Sequence, residues 1–243
     1  MFRRLPLRLA LAGLVALAAS GCGASHALHE VAVEGRPIAI AAAIPPAPRV
    51  QSGHPAEGGI NPYDPIGSAV RVGTAIQKRR HARGAQARLD SVVARVDVAD
   101  RIARQVLART AQTLRFDPAP QLDGAAYVID LRVFDYALVA DSFEGDTYFV
   151  LEGEVLFLDG VTGREYWRSV LREREVLDGT VFGLPAAIGN VVTGRALARL
   201  TPEQMATGLA RLADLTARRV AERFEEDYRD SRDAYARRGN AER

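Results

Sequence analysis

At strand positions of this 243-residue chain, carboxylates stand at two-residue spacing as Glu152 with Glu154 and Glu173 with Glu175. On a strand that spacing puts both members of a pair on one face, where two carboxylates can share general acid and base work. Arg168, Arg172 and Arg174 lie close by in sequence, so the same pattern reads as an exposed ion-pair surface of little energetic weight. The motifs of nucleophile, phosphate and metal chemistry are missing: there is no GxSxG, no GxxxxGK followed by Ser or Thr, and no HExxH. His26 and His29 are three apart and could touch one ion, but two ligands in a short polar stretch do not complete a zinc site. His54 and His81 stand apart from them. The sequence thus nominates no catalytic residue, no metal site and no cofactor, and an enzyme is not expected. Cys22 is the one thiol, and its setting points to a different chemistry.

Arg3, Arg4 and Arg8 lead into an uninterrupted apolar run from Leu9 to Ala19, and no acidic residue occurs before Glu30. A positive start, a short apolar core and small residues at its end form the layout of a secretory signal peptide. The run of roughly ten residues falls well short of the ~20 that a helix needs to span a bilayer. Its end, Ala19-Ser20-Gly21-Cys22, resembles the lipobox of bacterial lipoproteins. That resemblance implies cleavage between Gly21 and Cys22, a diacylglyceryl group on the cysteine sulfur, and an acylated amine. Gly23 follows where an aspartate would signal inner-membrane retention. The resemblance therefore implies an outer-membrane anchor facing the periplasm, ahead of anchoring in the inner membrane. Two or more acyl chains anchor stably, whereas one holds only marginally.

Residues 1–21 hold three of the 32 basic residues and none of the 30 acidic ones, so the remaining chain carries a net charge of about −1. No global basic field argues for nucleic acid. With one cysteine no internal disulfide can form. Stability must come from a packed core, which about 220 residues can supply as one domain with tails.

The elements that would present these residues begin with a small, polar tether over 22–30. Residues 31–44 suit one strand, irregular near Pro37, and 45–65 concentrate proline and glycine as a long loop. Helix is expected over 66–88, with a basic cluster at Lys78, Arg79, Arg80, His81 and Arg83 on a solvated face. It is expected again over 90–114, where Val92, Val96, Ala99, Ala103, Val106 and Thr110 form a stripe. Asp97 could cap a second segment, and both one helix and two are compatible with 66–114.

Period-two alternation then marks three strands, around Tyr127–Val133, Phe149–Phe157 and Trp167–Arg172. The last two join as a hairpin through 159–163. A five-residue loop places Val155 opposite Trp167 and Glu154 opposite Arg168. Thr201-Pro202-Glu203-Gln204 reads as a helix start with a capping box. Met205, Leu209, Leu212, Thr216, Val220 and Phe224 form the buried stripe of that helix, which frays by Arg237 in a charged tail over 229–243. The plan is α+β: an antiparallel sheet of three to four strands with helices on one face, in the order β-α-β-β-β-α, within a single domain over 31–228. Two glycine-bearing apolar stretches remain. Gly73 lies in one, and Gly183, Gly189 and Gly194 lie in the other. They suit either a buried connection or a surface for a partner or a second copy.

In order of elements, and through Asp159, Thr162, Gly163 and Trp167 on the hairpin, residues 90–228 resemble small α/β periplasmic lipoproteins of envelope transport. These include the curli-secretion, ABC-transport auxiliary and lipopolysaccharide-assembly groups. The resemblance implies a lipid-anchored, non-enzymatic accessory protein, with the membrane and an envelope protein as partners. Two other classes stay open: a subunit of an oligomeric outer-membrane pore, and an envelope hydrolase without a recognisable motif.

Overall fold

The computed structural model describes residues 27–52, 80–140, 147–178 and 197–241. A 3-10 turn at Ala27–Glu30 leads to strands β1 (Pro37–Ala43) and β2 (Arg49–Ser52). Helix α1 occupies 80–93 and α2 Val98–Leu114, followed by β3 (Asp117–Pro118), β4 (Tyr127–Ala140), β5 (Thr147–Asp159), β6 (Glu165–Asp178) and α3 (Pro202–Ala241).

The protein is α+β, and its sheet has six strands instead of three to four. The sheet is also mixed. β4, β5 and β6 form an antiparallel meander, while β1 and β2 lie end to end along the other side of β4 and run parallel to it. A parallel neighbour needs a crossover, and α1 and α2 provide it. The element order is accordingly β-β-α-α-β-β-β-β-α. Two expectations change here. Regular pairing begins at Pro37, with Val31 and Val33 ahead of it buried but outside the strand, because proline can open a strand but cannot donate within one. Arg49–Ser52, inside the expected 45–65 loop, pairs with Ala137–Ala140.

Asp97 settles the helix question for the described residues. Its carboxylate accepts from the Asp100 N–H at 2.9 Å, capping α2, while Arg95 N–H bonds back to Val92 O at 2.8 Å and closes the turn after α1. Breaking the helix there resets its phase. The buried stripe of α2 is Val98, Ile102, Val106 and Thr110, and not Ala99 and Ala103. The start of α3 follows the sequence. Gln204 N–H bonds to Thr201 Oγ1 at 3.2 Å and Gln204 Oε1 accepts from Thr201 N–H at 2.9 Å, a reciprocal capping box. All six residues of its expected stripe are buried. The helix continues to Ala241, past the expected fraying point at Arg237.

The hairpin register differs by two residues from the expected one. Val155 faces Ser169, Phe157 faces Trp167, and Glu154 faces Val170. An even slip leaves every side chain on its expected face. Arg168 still reaches Glu154 at 2.6 Å, as a diagonal neighbour.

The strongest departure from simple alternation lies in β4. Phe134 is an extra residue there, since Val133 faces Gly153 while Asp135 faces Glu152. Such a bulge reverses the phase of everything after it. Asp135 turns to the open face, where Arg49 approaches at 3.2 Å, and Tyr136 turns inward opposite Leu151. Gly153 permits the bulge, because a Cβ at this position would collide with the Arg132 carbonyl oxygen.

Candidate functional site

Three places in the described protein combine shape with chemistry. The first is the sheet face that α2 and α3 leave bare. Glu152 and Glu154 lie there with Arg132, Arg168 and Arg172. Arg168 bonds to Glu165 at 2.7 Å as well as to Glu154, and Arg132 bonds to Asp130 at 2.7 Å. Leu156, between Asp130 and Arg168 in one row, is only 2% exposed. Phe134 at 65% exposure and Val170, across from Glu154, at 67% are the open apolar side chains of this face.

The four carboxylates do not form one surface. Glu173 faces Leu151 and Glu175 faces Phe149, on the side of the sheet that α3 covers. Burial pushes the Glu173 carboxyl above its usual range, and Arg219 and Arg218 partly offset this. Glu175 lies 3.8 Å from Arg211 of α3. Glu152 and Glu154 therefore cannot act with Glu173 and Glu175, because the sheet separates them. Sequence alternation could have shown this division: Leu171, Glu173 and Glu175 share a phase with Trp167.

The second place is the end of the sheet nearest Ala27. Tyr127, Phe157, Tyr166, Trp167, Phe224 and Tyr228 form a continuous aromatic cluster, with Phe224 centred 4.8 Å from Phe157 and 5.2 Å from Trp167. The polar tips of Trp167 and Tyr228 are engaged. Trp167 Nε1 donates to Asp227 at 2.8 Å, and Tyr228 Oη donates to Val31 O at 3.2 Å while accepting from Arg232 at 2.9 Å. The start of the described chain docks here. His29 stacks on Tyr235 at 4.9 Å, its N–H donates to Ser231 Oγ at 3.0 Å, and Glu30 pairs with Arg164 at 2.6 Å. His81 lies far away in sequence on α1, and no group of three or more His, Cys, Asp or Glu that could hold a metal occurs among the described residues.

The third place is a cavity of about 350 Å³ where three segments meet. Ile44, Pro45 and Pro46 come from the break between β1 and β2, Val93, Val96 and Val98 from the elbow between α1 and α2, and Tyr136 from the sheet. Tyr136 is 3% exposed, and its hydroxyl has no hydrogen-bond partner. Burial pushes the phenol above its usual range. The Thr147 and Thr216 hydroxyls and Arg88 Nε also lack partners, but none of these lines this cavity. No sequence pattern marks the site, since Tyr136 faces it only because of the Phe134 bulge.

Gly21, Cys22, Gly73, Gly183, Gly189 and Gly194 lie outside the described residues, as do His26, His54, Lys78 and Arg79. Within the described residues, no helix is long and apolar enough to cross a membrane.

No family model matches the chain, and no curated protein matches it. Among solved structures it is similar to a Xanthomonas campestris protein of the DUF330 family, with 11% identity and a TM-score of 0.35 over 75% of this chain and 89% of that one. It is also similar to a PelC variant from Paraburkholderia phytofirmans, a dodecamer, with 10% identity and a TM-score of 0.23 over 69% and 90% of the two chains. Similarities of this size transfer neither architecture nor activity.

Proposed function

We propose that this chain is a lipid-anchored, non-enzymatic protein that faces the periplasm from the outer membrane and serves as an accessory in envelope transport or outer-membrane assembly. One observation carries the reading: Ala19-Ser20-Gly21-Cys22 closes an arginine-led apolar run too short to span a bilayer. An acylated Cys22 holds the domain at a membrane regardless of the rest of the chain. The bare sheet face around Phe134 and Val170 gives such a protein a surface for contact with an envelope partner.

The test is expression with the native leader in a two-membrane bacterium, with mass spectrometry of the amino-terminal peptide and whole-cell cross-linking. The expected result is a lipid-modified Cys22 at the new terminus and envelope proteins that cross-link to wild type but not to Cys22→Ser. An unmodified Cys22, with the same contacts in both proteins, overturns the reading.

A further inference from the structure

Helix α3 runs alongside β5 and overshoots the sheet. Gly208 lies against Phe149, and Phe224 is centred 4.8 Å from Phe157. Those intervals are about 24 Å of helix and about 26 Å of strand, so the two elements run in one direction. β5 ends at Asp159, while α3 continues past Phe224 to Ala241, about 25 Å farther. The hairpin tip at Val161 reaches at most about 13 Å past Phe157. The last turns of α3 thus project beyond the sheet, and from Arg232 to Asn240 every residue except Ala234 is exposed.

The described chain begins at this same end. Leu28 is fully buried, the backbone N–H of His29 bonds to Ser231 Oγ at 3.0 Å, and Glu30 pairs with Arg164 beside the hairpin tip. The stretch from Cys22 to Ala27 can span at most about 18 Å. From Ser231 to Ala241 α3 advances about 15 Å. A lipid on Cys22 therefore brings the bilayer within the distance that the overhang itself covers.

Over 229–241 the apolar side chains are Ala234, Tyr235, Ala236 and Ala241, too few for a stripe that another helix could bury. The overhang offers charge and one exposed ring instead. Arg229, Arg232, Arg237 and Arg238 outnumber Asp230 and Asp233 by two, and Glu242 with Arg243 adds no net charge. Arg229 pairs with Glu225 and Arg232 bonds to Tyr228 Oη, whereas Arg237 and Arg238 have no ion-pair partner among the described residues. Guanidinium forks match phosphate oxygens. Tyr235, at 62% exposure, has the apolar body and polar tip that suit a membrane interface.

We propose that the overhanging end of α3 is the surface by which this domain contacts the phospholipid bilayer, with Arg237 and Arg238 on lipid phosphates and Tyr235 among the headgroups. The proposal rests on the reading of Cys22 as the anchor. β5 and α3 then run toward the bilayer, which leaves the bare sheet face open at its side.

The test uses protein purified from cells that express the full chain with its own leader, placed in vesicles of phosphatidylethanolamine and phosphatidylglycerol with brominated acyl chains. It is held there by its own lipid or, where Cys22 is a free thiol, by coupling that thiol to a maleimide phospholipid. A free thiol counts against acylation, and the contact is read in either case, so the two failures are separate. Tyr235→Trp and Val176→Trp, the latter opposite Tyr148 at the far end of β5, report against the constant background of Trp167. Bromine quenches Tyr235→Trp more strongly than Val176→Trp. Added to Tyr235→Trp, Arg237→Gln with Arg238→Gln weakens the contact about fivefold per arginine. Arg95→Gln with Arg199→Gln, an equal change of charge at exposed positions elsewhere, leaves it unchanged, and thermal melts show that both pairs are folded. Equal quenching of the two reporters, or a contact unchanged by loss of Arg237 and Arg238, overturns the proposal. Cross-links between the α3 ends of two copies, in place of lipid quenching, assign the surface to a second copy and overturn it as well.

Discussion

The two ends of the sheet hold buried tyrosines in opposite circumstances. Near Ala27, Tyr228 sits in an aromatic cluster and its hydroxyl both donates to Val31 O and accepts from Arg232. Six residues away along β5, roughly 20 Å at strand spacing, Tyr136 faces Leu151 beside the elbow cavity and its hydroxyl has no partner. Similar burial thus gives opposite energetics. A buried hydroxyl with partners contributes about 0.5–1.5 kcal/mol, whereas an orphaned one costs about 1–3 kcal/mol. The satisfied end is built for stability and ties the start of the described chain to α3. The unsatisfied end holds a polar group that is closed off from solvent and that the fold itself does not pair.

The largest break in this comparison is Phe224→Ala. It removes the ring shared by Phe157, Trp167 and Tyr228, and the expected loss is about 3–5 kcal/mol in a urea melt. Gly153→Ala comes next. The methyl meets the Arg132 carbonyl across the bulge, and overpacking of this kind costs about 1–3 kcal/mol. A structural change centred on Phe134 and Tyr136, read from amide and aromatic NMR shifts, accompanies the loss.

The sharpest comparison is one substitution made twice. Tyr228→Phe strips a doubly bonded hydroxyl and destabilises by about 1 kcal/mol, while Tyr136→Phe removes an orphan and leaves stability unchanged or raises it by up to about 1 kcal/mol. Paired denaturation curves decide this, and an equal loss at both sites removes the contrast.

The smallest effect belongs to Asp214, which joins α3 to α2 through Arg101 at 2.6 Å and Gln105 at 2.6 Å. The hydrogen bond from Arg101 holds this carboxyl below its ordinary value, with Gln105 adding to it. Its folded value is depressed, so its stabilisation is present above the ordinary aspartate range and is lost as pH falls through the folded value. Half-exposed partners limit the change to below about 1 kcal/mol. Arg101→Gln flattens that acid slope relative to wild type.

Much of the fold was legible from local chemistry. The capping box at Thr201 and Gln204, the stripe from Met205 to Phe224, the cap at Asp97 and the three meander strands all rest on contacts within a few residues, or on a periodicity that one buried face imposes. The hairpin register slipped by an even number because period two specifies the face of a residue but not its partner. β2 was hidden in a Pro/Gly-rich stretch. Four residues carry too little pattern, and only the returning chain supplies their partner in β4.

By itself the sequence determined the cap at Asp97, the start and buried stripe of α3, the meander strands and the expectation of an anchor at Cys22, since each depends on neighbouring residues in the chain. Tertiary structure alone decided that β1 and β2 run parallel to β4, that Val155 faces Ser169 across the hairpin, and that Tyr136 lines the elbow cavity. The physical reason is common to all three. Each depends on which backbone lies across from which, and at Phe134 one extra residue opposite Gly153 is enough to turn the following side chains over.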